Sequence, residues 1–260
     1  MSGLSDAEVA VAAALAGAEV ARGRRHTALV IHEKDGEDFA TDADIATEHA
    51  IRAELARLRP DDGVVGEELG GAEARSARRY WLVDPLCGTV NYAAGLPLVA
   101  VNVALVEGDR VTAAAVVDPV LDELFWTDGP SAWQRSPDGG RRVLAPSAAT
   151  GLVCVDAEVS EQMRGARLLA AGDFASTYRP RMLSTTLALP WVAAGRMAAY
   201  VSEGSVHRSV HFAAGIALCE AAGCVVTDLT GAALSTTSDG LLAAADAATH
   251  ADLLARVARL

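Results

Sequence analysis

The chain has 260 residues, 51% of them hydrophobic, and a formal net charge of -12. That length supports a large core in one domain or two tightly joined lobes. The negative field disfavours nucleic acid and anionic membrane as partners, and no apolar run reaches the roughly 18 residues of a membrane span.

The acidic start Met-Ser-Gly-Leu-Ser-Asp-Ala-Glu lacks the basic stretch and cleavage site of a secretory signal. Cys87, Cys154, Cys219 and Cys224 follow no disulfide spacing, so reduced thiols in a cytoplasmic protein are expected. Ser5-Asp6-Ala7-Glu8 reads as a capping box that opens an alanine-rich helix to about Gly23. Residues 33–38 are polar and turn-like, a mobile solvated loop whose carboxylates can at most attract a loose metal. Thr41-Asp42-Ala43-Asp44 starts a second helix that Pro60 ends, with Ile51, Leu55 and Leu58 on one face. Val64-Val65 is a short strand leading into Gly66-Glu67-Glu68, and residues 74–79 are linker-like before a strand over 80–83. Runs over 99–106, 111–117 and 123–126, separated by Gly108-Asp109 and Asp118-Pro119, predict an antiparallel meander. Turns are expected at 128–130 and 136–140, and a lobe boundary near Pro146-Ser147 divides 1–146 from 147–260. The second part alternates strands (153–155, 197–201, 224–227, 241–244) with helices (161–170, 185–194, 211–222, 250–260).

The most informative stretch is Trp81-Leu82-Val83-Asp84-Pro85-Leu86-Cys87-Gly88-Thr89-Val90-Asn91-Tyr92. An apolar run ends in a carboxylate, a proline and a glycine, which puts Asp84 at the exposed end of a buried strand with a tight turn behind it. Gly88-Thr89 can open a short helix whose free N–H groups suit an anion.

This stretch resembles the Asp-Pro-x-Asp-Gly-Thr signature of the inositol monophosphatase family, magnesium-dependent phosphatases of sugars and cyclitols. Three more pieces match in order. Thr41-Asp42-Ala43-Asp44 resembles the family's Thr-x-x-Asp, and Gly66-Glu67-Glu68 its acidic pair. His211-Phe212-Ala213-Ala214-Gly215, followed by Glu220-Ala221-Ala222-Gly223, resembles Trp-Asp-x-Ala-Ala-Gly and Glu-Ala-Gly-Gly. Asn91, Gly95, Pro97 and the ending Gly240-Leu241-Leu242-Ala243-Ala244 fit as well. The resemblance implies an α+β fold, the layered α-β-α-β-α sandwich of the inositol monophosphatase and fructose bisphosphatase superfamily. It also implies a homodimer and a hydrolase whose site, between the lobes, takes a small phosphate monoester.

The roles implied by the resemblance fall on two sides. Glu67, Asp84 and the Leu86 carbonyl bind the first metal, which activates a water. Thr89 paired with Asp44 orients that water, and the phosphate rests on N–H groups near Gly88 and Thr89. A second metal stabilises the leaving oxygen, and the family holds it with Asp84 and two more aspartates. At those two positions this chain has Cys87 and His211. Magnesium wants oxygen donors, so two-magnesium occupancy should be weakened, and the two substituted residues should be close neighbours. Four readings stay open. Asp84, Cys87 and His211 hold a softer metal such as zinc. Cys87 and His211 form a nucleophile–base pair in an enzyme of another class. One hard metal at Glu67 and Asp84 supports slow hydrolysis. Or the site is noncatalytic and keeps only its phosphate cradle.

Other residues weigh less. By the resemblance, Glu203 and Arg208 lie where family members contact ring hydroxyls. In Gly195-Arg196-Met197-Ala198-Ala199-Tyr200, Ala198 replaces a family aspartate, which argues against family-like cyclitol recognition. Asp42 and Glu68 read as solvated acids among charged neighbours, and His26, His32, His49 and His250 as structural or solvent-facing. Cys154, Cys219 and Cys224 read as core thiols. His207 precedes His211 by four residues, but 205–209 is expected to lie before the helix.

Overall fold

The structure, a computed structural model, describes residues 3–25, 29–33, 39–136, 138–156 and 162–260. Most of the expected 33–38 loop, together with His26 and Glu161, lies outside those residues; Glu33 ends a strand instead.

Helix α1 (Asp6–Arg24) begins at the expected capping box, the Ser5 hydroxyl accepting the Glu8 N–H while Glu8 reaches back to the Ser5 N–H at 2.7 Å. Strands β1 (Ile31–Glu33) and β2 (Phe39–Thr41) pair antiparallel and lead into α2 (Asp42–Leu58), opened by a second capping box of Thr41 and Asp44. Gly17 lets α1 and α2 pack closely, since a Cβ there would stand 2.6 Å from Ile51 Cγ1.

A seven-stranded sheet follows, built from β3 (Gly63–Gly66), β4 (Arg79–Cys87), β5 (Ala100–Glu107), β6 (Arg110–Asp118), β7 (Glu123–Thr127), β8 (Ala132–Arg135) and β9 (Arg141–Val143), paired in that order. Its β5–β7 core is the expected meander. A 3-10 turn (Ala72–Ser76) replaces part of the expected linker, and helix α3 (Thr89–Ala93) follows β4.

The rest of the chain supplies β10 (Leu152–Val155), α4 (Arg164–Ala170), α5 (Phe174–Thr177), β11 (Arg179–Arg181), α6 (Ala188–Ala193), β12 (Ala199–Ser205), α7 (Ala213–Ala222), β13 (Val225–Thr227), β14 (Asp239–Ala244) and α8 (Ala247–Val257). Its five strands run in the order β11-β10-β12-β14-β13. Here the sequence reading needs correction at its boundaries, and it missed α5 and β11. Residues 185–187 form a turn that feeds α6, which leaves Pro190 in the first helical turn, where its missing N–H costs nothing. Met197 is held by the Trp191 carbonyl, so β12 starts only at Ala199. His211 lies in the turn before α7, not in the helix.

Two-residue alternation along the strands sorts the side chains into layers. Trp81, Val83, Val103 and Leu105 face α1 and α2, meeting Val9, Ala13, Ile51 and Leu55. Leu82, Ala104 and Val116 face the opposite way, toward Leu189, Val192 and Leu218 of α6 and α7, whose far side meets Tyr200 and Leu241 of the second sheet. Val201, Leu242 and Ala244 face outward to Leu168, Phe174 and Leu253. The result is the expected α-β-α-β-α sandwich. Among the described residues, no helix is long and apolar enough to cross a membrane.

Candidate active site

Asp84 has the parity of Leu82 and therefore points into the middle layer, toward the residues just before α7. It is fully buried, which corrects the expectation of an exposed strand end. Strand β4 runs on to Cys87. Its pairing with β3 stops at Val83 and its register with β5 shifts between Asp84 and Cys87, so no ladder bond is required of Pro85. Asp84 Oδ1 accepts the Leu86 N–H at 3.1 Å, and Oδ2 accepts Asn102 Nδ2 at 3.4 Å.

The start of α2 supplies the next group. Asp44, fully buried, accepts Thr41 N–H at 2.8 Å and Thr41 Oγ1 at 2.5 Å on one oxygen, and Thr89 Oγ1 at 2.9 Å on the other. Burial raises its pKa against these hydrogen bonds. The Thr89 hydroxyl is also 3.3 Å from the Leu86 carbonyl oxygen. Gly88 takes φ +95°, and a Cβ there would stand 2.6 Å from the Leu98 carbonyl, so only glycine fits. The opening N–H groups of α3 have no partners within the helix, as at any helix start.

Glu67 follows β3 directly, and its N–H donates to Val83 O at 3.2 Å, beside Asp84. The Glu67 and Asp84 carboxyls face the same His211 Nδ1, at 4.0 and 2.8 Å. Together with the Leu86 carbonyl, which lies 3.3 Å from Thr89 Oγ1, these carboxyls offer oxygen donors only, the kind a hard divalent ion takes. The loop carrying Glu67 is held by two residues the sequence reading missed. Glu48 Oε2 accepts Glu68 N–H at 2.7 Å, its Oε1 accepts Leu69 N–H at 3.2 Å, and Arg52 Nε donates to that Oε1 at 2.7 Å. The signal was present: Asp44, Glu48 and Arg52 recur every four residues on one helix.

Cys87 and His211 do meet. The ligand atoms of Asp84, Cys87 and His211 all lie within 4.8 Å of one another. His211 Nδ1 is 2.8 Å from Asp84 Oδ2 and 4.0 Å from Glu67 Oε2. Burial works against the imidazolium, but the Asp84 charge and hydrogen bond prevail and push its pKa up to about 12. Burial likewise opposes the Asp84 carboxylate, and the His211 charge overcomes it, leaving Asp84 below its ordinary value. Burial and the Asp84 charge push the Cys87 thiol up to about 11. Sulfur and imidazole are poorer donors to magnesium than carboxylate oxygens. Thr186, which accepts Asn102 Nδ2 at 3.1 Å, borders Cys87 from the turn before α6.

The remaining candidates make contacts of their own. The Glu203 carboxylate accepts Gly165 N–H at 2.7 Å in the first turn of α4. Arg208, at φ +49°, donates to Gly108 O and Asp109, at the β5–β6 turn. Half-buried His207 is next to it in the chain, and burial lowers its pKa. Ala198 is buried with its N–H on Leu152 O. Asp42 pairs with Arg24 at 2.6 Å, and His250 is buried against Thr227 at 2.8 Å. His32 and His49 are exposed. Cys154 and Cys219 are buried and all four cysteines are free.

The chain and its fold have counterparts among known proteins. The family model described as "Inositol monophosphatase family" matches residues 5–260. An inositol-1-monophosphatase of Caulobacter vibrioides is 31% identical over 221 residues, covering 78% of this chain and 80% of that protein. A protein of Pasteurella multocida named Nus factor SuhB is 32% identical over 244 residues, covering 90% and 88%. The solved IMPase of Thermotoga maritima superposes with a TM-score of 0.83 at 22% identity, over 97% of this chain and 96% of that one, which speaks for the fold. Mycobacterium tuberculosis SuhB gives 0.76 at 30% identity, over 97% and 95%.

Proposed function

Because the chain belongs to the inositol monophosphatase family, a family of metal-dependent phosphatases, we propose that it hydrolyses a small phosphate monoester of a sugar, cyclitol or related metabolite. The observation that carries this reading is the 2.9 Å hydrogen bond from Thr89 to Asp44, beside the oxygen donors Glu67, Asp84 and Leu86 O. Magnesium held by those donors would neutralise phosphoryl charge and make a water more acidic. Thr89, by donating to Asp44, keeps its lone pairs for the O–H of that water and aims the water's oxygen at phosphorus. The proton leaves the water for Thr89 Oγ1 as the threonine's own proton passes to Asp44, whose pKa burial has already raised. The Gly88 and Thr89 N–H groups take the phosphoryl oxygens. As the water oxygen bonds to phosphorus, the P–O bond to the alcohol breaks and the leaving alkoxide takes a proton from solvent; His211 paired with Asp84 puts one positive charge on that side, where two more aspartates would have held an ion.

One observation favours a second reading of the metal: the Asp84, Cys87 and His211 donors, within 4.8 Å of one another, form an O, S, N set suited to a zinc-class ion. Use of Cys87 as a nucleophile is opposed by burial and the Asp84 charge, which keep the thiol protonated. We take residues 1–146 and 147–260 as two lobes, because the seven-stranded sheet ends at Val143 and the five-stranded sheet begins at Leu152. A homodimer in a reducing cytoplasm completes the reading, in keeping with exposed Val90, Leu96 and Met182 and with four free thiols.

The test is a phosphatase screen over inositol, sugar and related monophosphates, with magnesium and with chelator, beside metal analysis of the purified protein. Magnesium-dependent phosphate release is expected. Zinc retained through desalting, and lost on Cys87→Ser, supports the second reading. Phosphate-ester binding without turnover, unaffected by chelator, overturns the proposal.

A further inference from the structure

We infer that Glu48, anchored by Arg52, is the positioning residue for the Glu67 metal ligand, so that one face of α2 fixes both the metal-holding and the water-orienting groups. The inference rests on the metal-dependent hydrolysis proposed above.

Asp44, Glu48 and Arg52 stand at successive four-residue steps on α2 and so share a face. Asp44 holds Thr89 at 2.9 Å. One turn on, the fully buried Glu48 carboxylate receives three donors: Glu68 N–H at 2.7 Å, Leu69 N–H at 3.2 Å and Arg52 Nε at 2.7 Å. Only an acceptor-only group satisfies all three, since an amide in its place would turn its own N–H toward one of them. Arg52 Nη2 then donates to Gly70 O at 2.6 Å, and the same carbonyl accepts Gly66 N–H at 2.8 Å. The loop from Gly66 to Gly70 is thus closed at its neck and pinned at its crown.

Packing does not do this. Leu69 is 38% exposed, and Glu68 and Gly70 do not belong to the core. Gly66 is shaped for the carboxylate, since a Cβ there would lie 1.8 Å from Glu48 Oε1. Glu67 sits between these anchors, with its N–H tied to Val83 O beside Asp84. Residues that orient ligands in this way typically contribute 10–100-fold to metal affinity or activity.

The test is calorimetric titration of the full-length protein with Mn2+, run on wild type, Glu48→Gln and Arg52→Gln, with hydrogen exchange at the Glu68 and Leu69 amides. Glu48→Gln is expected to weaken Mn2+ binding roughly 10–100-fold and to speed exchange at both amides. The magnesium concentration for half-maximal turnover should rise by a similar factor, with turnover at saturating metal mostly recovered. A general packing defect would not give that split. Arg52→Gln should show a smaller change in the same direction, and it serves as the primary variant if Glu48→Gln does not fold. Unchanged Mn2+ affinity in a folded variant, with wild type binding normally, overturns the inference alone. Failure of wild type to bind Mn2+ sinks the metal-dependent reading and this inference with it.

Discussion

His211 Nδ1 lies 2.8 Å from Asp84 Oδ2 across 127 residues of sequence, joining the turn before α7 to the end of β4. The imidazole thus meets a buried carboxylate that, with two aspartates beside it, would call for a cation.

The pair should shape stability in the metal-free protein. His211 is raised from 6.5 to about 12, so its contribution is complete below about pH 6.5 and fades as pH rises toward 12. Asp84 is lowered from 3.8, so its contribution is present above about pH 3.8 and is lost as pH falls through its folded value. Thermal melts in chelator should therefore show this pair's contribution greatest between about pH 4 and 6.5, declining above. His211→Asn should flatten the decline above pH 6.5, and an unchanged slope would refute the pairing.

Asp84→Asn should reduce phosphatase activity to background, a loss beyond the roughly 10–100-fold of a supporting residue, because it removes a buried donor shared by both sides of the site. Phosphate release under saturating magnesium is the measurement. Activity within tenfold of wild type would remove Asp84 from the site.

Cys87→Asp combined with His211→Asp should raise magnesium-dependent turnover, since it supplies the oxygen donors a second hard ion needs. Magnesium titration of turnover, compared with each single variant, gives the answer. No gain in a folded double variant would count against a leaving-group side limited by its donors.

Thr89→Ala and Asp44→Asn should each lower turnover about 10²–10⁴-fold. The double variant should lose no more than the worse single one, because the two act as one unit. Additive losses would show that they act separately.

Cys87 should alkylate slowly near neutral pH, since burial and Asp84 hold its thiol up at about 11. Mass-spectrometric mapping of alkylated cysteines against pH tests this. Rapid modification of Cys87 well below about pH 8.5 would revive the nucleophile–base reading.

Much of this protein was legible wherever chemistry is local. Both capping boxes satisfy N–H groups three residues away, and Gly108-Asp109 and Asp118-Pro119 break the meander where they stand. A proline is where local pattern and fold part. Pro85 reads as a strand end, yet β4 passes through it because the ladder slips there, and that slip belongs to β5 as much as to β4. The spacing of Glu48 and Arg52 also suits an ordinary solvated ion pair, and only the fold of the Glu67 loop over them shows that the pair holds that loop.

By itself, the chain's local pattern marked the capped helices, the meander and most of the later strands and helices, but not α5 or β11, and its four motifs carried the donors proposed for a hard metal. The tertiary structure alone decided that Asp84 is buried rather than exposed, that His211 bonds to it, and that one helix face supports both Glu67 and Thr89. Capping and alternation act over a few residues and are written in order. Strand pairing and layer stacking decide which distant side chains cover a given face, and no local pattern encodes that contact.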